Sequence, residues 1–224
     1  MHRTIQTLSL LLILSSIQAQ NTHPFEPEIR AFERLDSLNK PAKGQILLFG
    51  SSSMRLWKTY QTDLAGYKVV NRGFGGSEIS DAIYYFDRVV LPLEPSWILL
   101  YSGDNDLWNS KKTPEKVFED YQTFMALVKQ KLPNTKVAII TLRPSLARES
   151  MMAQQRKLNG LFKQYCKKHC KKAYFIDMYE HLLTPEGRPN GDYLVEDKLH
   201  LNAKGYEVWT REIRDFLKKK GPKK

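Results

Sequence analysis

The sequence predicts an α/β fold in which helices cover both faces of a parallel β-sheet. Five short apolar segments, rich in β-branched and aromatic residues and bounded by turn residues, have the pattern of buried parallel strands. Longer segments with helical periodicity lie between them, and this alternation is typical of a parallel sheet. No internal repeat or long linker divides the 224 residues, which are enough for one domain with a full hydrophobic core.

The predicted elements alternate along the chain. Strands are expected at 44–50, 67–74, 96–103, 136–144 and 173–179. Helices are expected at 78–90, 113–132, 150–169 and 202–219. The second of these helices has a well-marked start, because Thr113 suits the N-cap position and Pro114 suits the first turn.

The N-terminal residues have the pattern of a secretory signal peptide. A basic start, "MHRT", precedes the apolar run "LSLLLILSSI" and the small-residue exit "QAQ". The run is shorter than the roughly 20 residues that span a bilayer, so a retained membrane anchor is the less favoured alternative. We predict residues 1–19 to be a signal peptide and the protein to be secreted or periplasmic, with membrane association at most peripheral. A lead-in at 20–43, one domain at 44–218 and a basic tail at 219–224 would follow.

The chain is basic, with a formal net charge of +11 at pH 7. Such a charge is found in nucleic-acid-binding proteins. Many of the lysines, however, lie in "CKKHCKK" (166–172) and "LKKKGPKK" (217–224), and an exported protein does not meet a genome. We therefore favour a solvated face and a charged tail over a nucleic-acid partner, with attraction to an acidic glycan or an anionic membrane as the alternative.

Cys166 and Cys170 are the only cysteines. Their spacing of four in a helical pattern places both on one face, which allows either a strained disulfide or two free thiols. Only His169 lies nearby, and this combination is a poor zinc pattern. No metal site is predicted.

Three polar or glycine-rich turns follow the first three predicted strands. They are "GSSS" (50–53), "GFGGS" (73–77) and "SGDND" (102–106). Ligand sites in parallel sheets lie at the carboxyl ends of the strands, so three such turns predict a site at this edge. Within them, Gly76 can bring a backbone N–H close to a ligand, and Asn105 can donate from its side-chain amide.

A fourth candidate segment, "VEDKLHLNAKGY" (195–206), precedes the last predicted helix. Asp197 and His200 are three residues apart, and in a tight turn this spacing lets the carboxylate reach Nδ1 of the histidine and leaves Nε2 free. That pair is the base-and-orienter half of a nucleophilic triad. A hydroxyl nucleophile also needs donors for the oxyanion it generates, which Gly76 and Asn105 can supply.

Together, these segments resemble the sequence blocks of the SGNH or GDSL hydrolase superfamily. In "GSSSMRLW", Gly50 and Trp57 fit the frame of the first block and place Ser52 at the position of the nucleophile. Ser51 stands where the family usually has aspartate, which is not a triad member. The turns that contain Gly76 and Asn105 match the second and third blocks.

The "D-x-x-H" of Asp197 and His200 matches the last block of that superfamily. The resemblance extends to a bacterial subgroup of GDSL-type esterases over residues from about 44 to 212, including "YYFDRVVLP", "RPSLAR" and "GYEVW". Lys198 stands where the subgroup usually has glycine, which would narrow the entrance of the site or add a positive charge beside it.

This resemblance implies a fold, a reaction and a set of roles. The fold would be a three-layer α/β/α sandwich around a five-stranded parallel sheet, like flavodoxin in outline. The reaction would be acyl-ester hydrolysis without a cofactor, with Ser52 as nucleophile, His200 as base and Asp197 as its orienting group. The backbone N–H groups of Ser52 and Gly76 and the side chain of Asn105 would hold the oxyanion.

The substrate is predicted only in outline. No apolar lid is visible in the sequence, so a short acyl group, such as acetyl, on a small alcohol or glycan is favoured. Trp57, Trp108 and Arg143 are the candidate substrate contacts, and Arg72 and Arg148 also lie near the predicted edge. An acyltransferase, a lysophospholipase or thioesterase, and a non-catalytic exported glycan-binding module are the alternatives.

Overall fold

The computed structural model describes residues 23–222. The predicted signal peptide and its cleavage site therefore lie outside the described residues. In the described part of the chain, no helix is both long and apolar enough to cross a bilayer.

The five predicted strands form one parallel sheet, as expected, in the order β2-β1-β3-β4-β5. They are β1 (Ile46–Gly50), β2 (Val69–Gly73), β3 (Trp97–Tyr101), β4 (Lys136–Ile140) and β5 (Ala173–Ile176). Each is shorter than its predicted segment at one or both ends. The excess residues lie mostly in the loops at the carboxyl edge, where the site is built.

Nine α-helices occur within residues 23–222. Five precede β3 in the chain: α1 (Glu26–Leu38), α2 (Ser52–Arg55), α3 (Tyr60–Asp63), α4 (Ile79–Tyr84) and α5 (Phe86–Val89). The others are α6 (Asp104–Trp108), α7 (Pro114–Lys131), α8 (Met152–Lys168) and α9 (Ala203–Lys220), and short 3₁₀ turns lie at 91–93, 146–151, 180–182 and 191–193. The predicted helix at 78–90 is thus two helices that meet at Tyr85.

Side chains that alternate along the strands build a separate core on each face of the sheet. Leu47 and Phe49 of β1 point into the core covered by α1, α4, α5, α7 and α8. Ile46 and Leu48 point into the other core, which α9 covers with a stripe that includes Trp209. The result is the three-layer α/β/α sandwich that the resemblance implied.

Local signals account for several helix boundaries. The predicted cap of α7 is present, since the Thr113 side chain accepts a hydrogen bond of 3.2 Å from the Lys116 N–H. Asn202 caps α9 in the same way through the Gly205 N–H. The lead-in at 20–43, to which the sequence assigned no element, contains α1, and its Ile29 is fully buried in the core.

The two cysteines are free thiols in different environments. Cys166 is buried on α8, and burial raises the pKa of its thiol to about 12. Helix α8 ends at Lys168, so Cys170 lies beyond it and is exposed. The expectation that both lie on one helical face is therefore wrong.

Candidate active site

The turns that follow the first three strands lie close together at the carboxyl edge of the sheet. In the register of the sheet, Gly50 at the end of β1 lies opposite Gly73 of β2 and Tyr101 of β3. The turns that follow all lie at the carboxyl edge, and residues of each line one cavity of about 220 Å³. The edge predicted from the sequence is thus the edge at which the candidate residues meet.

The turn after β1 depends on the glycine at its start. Gly50 has φ +128°, and a Cβ at this position would lie 1.8 Å from the Tyr101 carbonyl oxygen. Its successor, Ser51, donates its N–H to that same carbonyl at 3.0 Å and accepts at its own carbonyl from Met54 and Arg55. The chain therefore passes close against β3 and turns directly into α2, with Ser52 as its first residue.

The three consecutive serines differ in exposure. All three line the cavity, but Ser51 is 3% exposed and Ser53 is 2% exposed, whereas Ser52 is only partly buried. The carbonyl of Ser53 accepts a hydrogen bond of 2.8 Å from the Tyr206 hydroxyl, which ties α2 to α9. Ser52 is the serine whose side chain reaches the histidine.

Ser52, His200 and Asp197 form a continuous hydrogen-bonded chain. The distance from Ser52 Oγ to His200 Nε2 is 2.9 Å, and the distance from His200 Nδ1 to Asp197 Oδ2 is 2.6 Å. The other carboxylate oxygen of Asp197 accepts the N–H groups of Leu199 and His200, both at 2.8 Å. The loop thus holds the carboxylate in the one orientation that faces Nδ1.

The same contacts determine the charge of Asp197. Partial burial acts to raise the pKa of this carboxyl. Hydrogen bonds from the His200 side chain and from the N–H groups of His200 and Leu199 outweigh it and lower the pKa to about 2. Asp197 is therefore ionised at neutral pH and favours a proton on Nδ1, which leaves Nε2 as the acceptor for the serine.

Lys198 occupies a left-handed position, with φ +57°. Glycine is the residue that adopts this region without strain, which is the physical reason for a glycine at this position in the resembling subgroup. The Lys198 side chain is exposed, and only Leu199 and His200 of this loop line the cavity. Lys198 is therefore not part of the cavity wall.

The predicted oxyanion donors lie around the same cavity. Gly76 adopts φ +81° and lines the cavity wall, as does Asn105. Within residues 23–222, neither the Ser52 N–H nor the Gly76 N–H donates to a protein acceptor. Because both residues line the cavity and neither N–H has a protein acceptor, both N–H groups are free to donate to an incoming oxygen.

The side chain of Asn105 is held on both sides. Its amide nitrogen donates to the Ser77 carbonyl at 3.0 Å, and its oxygen accepts from Arg148 Nη2 at 3.0 Å. The next residue, Asp106, is fully buried and accepts from the Ile79 N–H. These contacts lock the third turn onto the second and direct the remaining amide hydrogen of Asn105.

The candidate substrate contacts differ in their position relative to the cavity. Trp57 is fully buried, donates to Asp63 at 2.6 Å and stacks on Tyr206, so its prediction as a substrate contact is wrong. Its indole belongs to the core that α9 covers. Arg72 is likewise buried away from the cavity, in an ion pair with Asp36.

Arg143 and Trp108 remain candidates. Arg143 is 3% exposed and lines the cavity, where its guanidinium donates to Ser53 Oγ at 3.3 Å and 3.4 Å. Trp108 is exposed and is not part of the cavity wall, but its ring lies beside the guanidinium of Arg148.

A buried polar network behind the site was missed by sequence reasoning. The Asp104 carboxylate accepts from the Tyr101 hydroxyl and from the Gln155 amide, and Gln155 also donates to the Arg143 carbonyl. Gln155 lies on α8 among residues with an ordinary helical pattern. Nothing in the sequence around it distinguishes it from a solvent-facing polar residue.

Neither the second cavity nor any cluster of potential metal ligands in the described residues offers an alternative active site. A larger cavity of about 590 Å³ lies at the C-terminal ends of α7 and α8, is mainly apolar and contains none of the predicted site residues. Across residues 23–222, no group of three or more His, Cys, Asp and Glu side chains is arranged to hold a metal ion.

Comparison with solved structures agrees with the fold. Three solved structures illustrate the likeness: an acylhydrolase from Bacteroides fragilis, a carbohydrate esterase family 3 protein from Talaromyces cellulolyticus and a mutant of an acetyl-xylooligosaccharide esterase from Geobacillus. Their sequence identities are 20%, 14% and 16%, and their TM-scores are 0.72, 0.63 and 0.62. They cover 86%, 79% and 81% of this chain, which covers 97%, 97% and 96% of theirs.

A search of curated protein sequences finds no match. The model of the GDSL-like lipase/acylhydrolase family, in contrast, matches residues 47–208. This range runs from the strand before Ser52 to the helix after His200 and takes in every turn that lines the cavity. The protein is thus an ester-hydrolysing enzyme and belongs to the GDSL-like lipase/acylhydrolase family.

Proposed function

We propose that this enzyme is a serine esterase that hydrolyses short-chain acyl esters of a small alcohol or a carbohydrate through an acyl-enzyme. The observation that carries the proposal is the hydrogen-bonded chain from Ser52 Oγ through His200 to Asp197, with distances of 2.9 Å and 2.6 Å. It is the arrangement that a hydroxyl nucleophile needs, since an imidazole nitrogen lies within reach of its proton.

In the first half of the reaction, Ser52 Oγ attacks the ester carbonyl while its proton passes to His200 Nε2. The ionised Asp197 stabilises the imidazolium that forms. The carbonyl oxygen becomes an oxyanion, which the N–H groups of Ser52 and Gly76 and the Asn105 amide receive. Collapse of this intermediate transfers the proton from His200 to the leaving alkoxide and leaves an acyl group on Ser52.

In the second half, water takes the place of the alcohol. His200 removes a proton from the water, which attacks the acyl carbonyl, and the same three donors receive the second oxyanion. The proton then returns to Ser52 Oγ as the carboxylic acid leaves. Because an acceptor alcohol could replace the water, product analysis with and without such an acceptor distinguishes hydrolysis from acyl transfer.

The size and lining of the cavity support a short acyl group. The cavity of about 220 Å³ is lined mainly by serines, arginines and other polar residues, and Leu199 is its one aliphatic side chain within the described residues. A long hydrocarbon chain would find little apolar surface there. Two structural relatives are described as a carbohydrate esterase and as an acetyl-xylooligosaccharide esterase, which also favours acetyl esters of carbohydrates.

We expect 4-nitrophenyl esters from acetate to butyrate to be hydrolysed with a higher kcat/KM than esters with more than about eight acyl carbons. A panel of chain lengths, measured below the critical micelle concentration of each ester, tests this. Acetylated oligosaccharides in the same panel test the alcohol side. Values of kcat/KM that rise steadily from acetate to palmitate would contradict the proposal.

A second expectation concerns pH. Asp197, with a pKa of about 2, stays ionised at all pH values where the protein is assayed and adds no acid limb. A histidine base must be neutral, and histidines in proteins titrate between roughly pH 5.5 and 7.5. We therefore expect kcat/KM to rise with a single-proton slope from about pH 5 to 8. A profile that is flat from pH 5 to 9, with chemistry rate-limiting, would remove His200 from this role.

We also propose that the protein acts outside the cytoplasm after removal of residues 1–19. The pattern of these residues supports the proposal. Sequencing of the N-terminus of the protein recovered from an exported fraction would test the cleavage after Ala19.

A further inference from the structure

Two of the three arginines that line the cavity, Arg143 and Arg148, are buried, and they differ from Arg72 in their partners. Within residues 23–222, three arginines are buried: Arg72, Arg143 and Arg148. Arg72 lies away from the site and forms an ion pair with Asp36. Arg143 and Arg148 line the cavity, and neither forms an ion pair with any carboxylate of residues 23–222.

The protein partners of these two guanidiniums are neutral and few. Among the described residues, Arg143 donates only to Ser53 Oγ, at distances near the upper limit for a hydrogen bond. Arg148 donates through Nη2 to Asn105 Oδ1 and lies beside the Trp108 ring. A guanidinium has five N–H donors, so most of the donors of both side chains remain available to a bound ligand.

The nearby carboxylates are already engaged. Asp104 lines the same cavity, but its oxygens accept from the Tyr101 hydroxyl and the Gln155 amide. Asp197 is held by His200 and by its own loop. Arg55, also at the cavity, has Glu28 at 3.8 Å. Asp104 can therefore balance at most one of the two buried guanidiniums, and the wall keeps an excess positive charge next to Ser52.

A buried charge without a counterion is unfavourable, and a guanidinium is the group best suited to bind a carboxylate or a similar oxyanion in a bidentate manner. The geometry points to an anion-binding subsite at Arg143 and Arg148, so that the preferred ester carries a carboxylate or an equivalent oxyanion close to the scissile bond. This inference rests on the proposed esterase function and narrows its substrate class from short-chain acyl esters in general to those that carry an anionic group.

The subsite can serve either side of the ester, and paired substrates distinguish the two. On the alcohol side, acetoxyacetate is compared with acetoxyacetamide. On the acyl side, monomethyl succinate is compared with methyl succinamate. Within each pair the size is nearly the same and only the charge differs. We expect one pair to show at least a tenfold higher kcat/KM for the anion, the range that hydrogen bonds to a charged group provide.

Substitutions of Arg143 test whether this arginine causes the preference for anionic esters. In Arg143→Gln the ratio of anionic to neutral kcat/KM should fall by about tenfold or more, and Arg143→Lys should recover part of it because the charge is kept. The matched control is Arg211→Gln, an exposed arginine paired with Glu212, which should leave the ratio unchanged. Circular dichroism and Tm verify that each variant is folded.

The possible outcomes distinguish a failure of the anion-subsite proposal from a failure of the esterase proposal. If the wild-type ratio of anionic to neutral kcat/KM is at or below one in both pairs, the subsite proposal is wrong. It is also wrong if folded Arg143→Gln has the same ratio as the wild type. If neither these esters nor 4-nitrophenyl acetate is hydrolysed, the esterase proposal fails. Calorimetric titration of Ser52→Ala with acetoxyacetate and monomethyl succinate, each against its neutral partner, then decides the subsite: tighter binding of an anion supports it, and equal binding overturns it.

Discussion

We expect Ser52→Ala to lower kcat by about 10³-fold or more while the protein stays folded. The substitution removes the oxygen that forms the covalent bond, and the remaining His200 and Asp197 have no nucleophile to activate. The residual rate would come from binding and the oxyanion donors alone. The measurement is kcat with 4-nitrophenyl acetate, with circular dichroism as the test of folding.

Ser51→Ala is the matched control for this variant. Ser51 is the neighbouring serine, and its backbone, rather than its side chain, makes the contacts that hold the turn. We expect it to keep activity within about tenfold, since it can lose no more than one hydrogen bond of roughly 1 kcal/mol. A fluorophosphonate probe should label Ser52 and no other serine. An active Ser52→Ala protein, or a label on Ser51 or Ser53, would contradict the assignment.

The second large effect is expected on stability, at Gly50. A Cβ there would lie 1.8 Å from the Tyr101 carbonyl oxygen, and the backbone has φ +128°. Gly50→Ala must therefore separate β1 from β3 or rebuild the turn that carries Ser52, in addition to the cost of the positive φ. We expect a loss of about 3 kcal/mol or more in the free energy of unfolding, measured by urea denaturation.

Gly187→Ala separates the clash from the backbone strain. Gly187 also has a positive φ, +79°, but a Cβ added there would meet no atom within 4 Å beyond its chain neighbours, and the residue is exposed. Its substitution should cost only about 1 kcal/mol, the penalty for a left-handed alanine. Equal losses in the two variants would show that the close approach of β3 does not matter.

The parts of this fold that the sequence predicts well are those encoded within a few residues. Five apolar segments between turn residues are the five strands, and Thr113 before Pro114 is the start of α7. The hydrogen bond between Asp197 and His200 belongs to the same class, because both residues lie in one tight loop. Each of these features depends on local backbone geometry or on the periodicity of one element.

Predictions that needed knowledge of the packing were less successful. Trp57 has the expected position in the sequence of its block, yet it stacks on Tyr206 of α9 in the core. The residues before 44 show no decisive pattern, yet Ile29 of α1 completes one of the two cores. In both cases the neighbours come from distant parts of the chain, and no local pattern identifies them.

The sequence by itself determined the succession of strands along the chain and the loop that aligns Asp197 with His200, because those depend on residues a few positions apart. Only the tertiary structure decided that His200 meets Ser52 across 148 positions of sequence and that Arg143 and Arg148 line the same cavity without a carboxylate partner in the described chain. The physical reason is that a parallel sheet gathers the carboxyl ends of its strands at one edge, so side chains far apart in sequence become neighbours only once the sheet and both helical layers have packed.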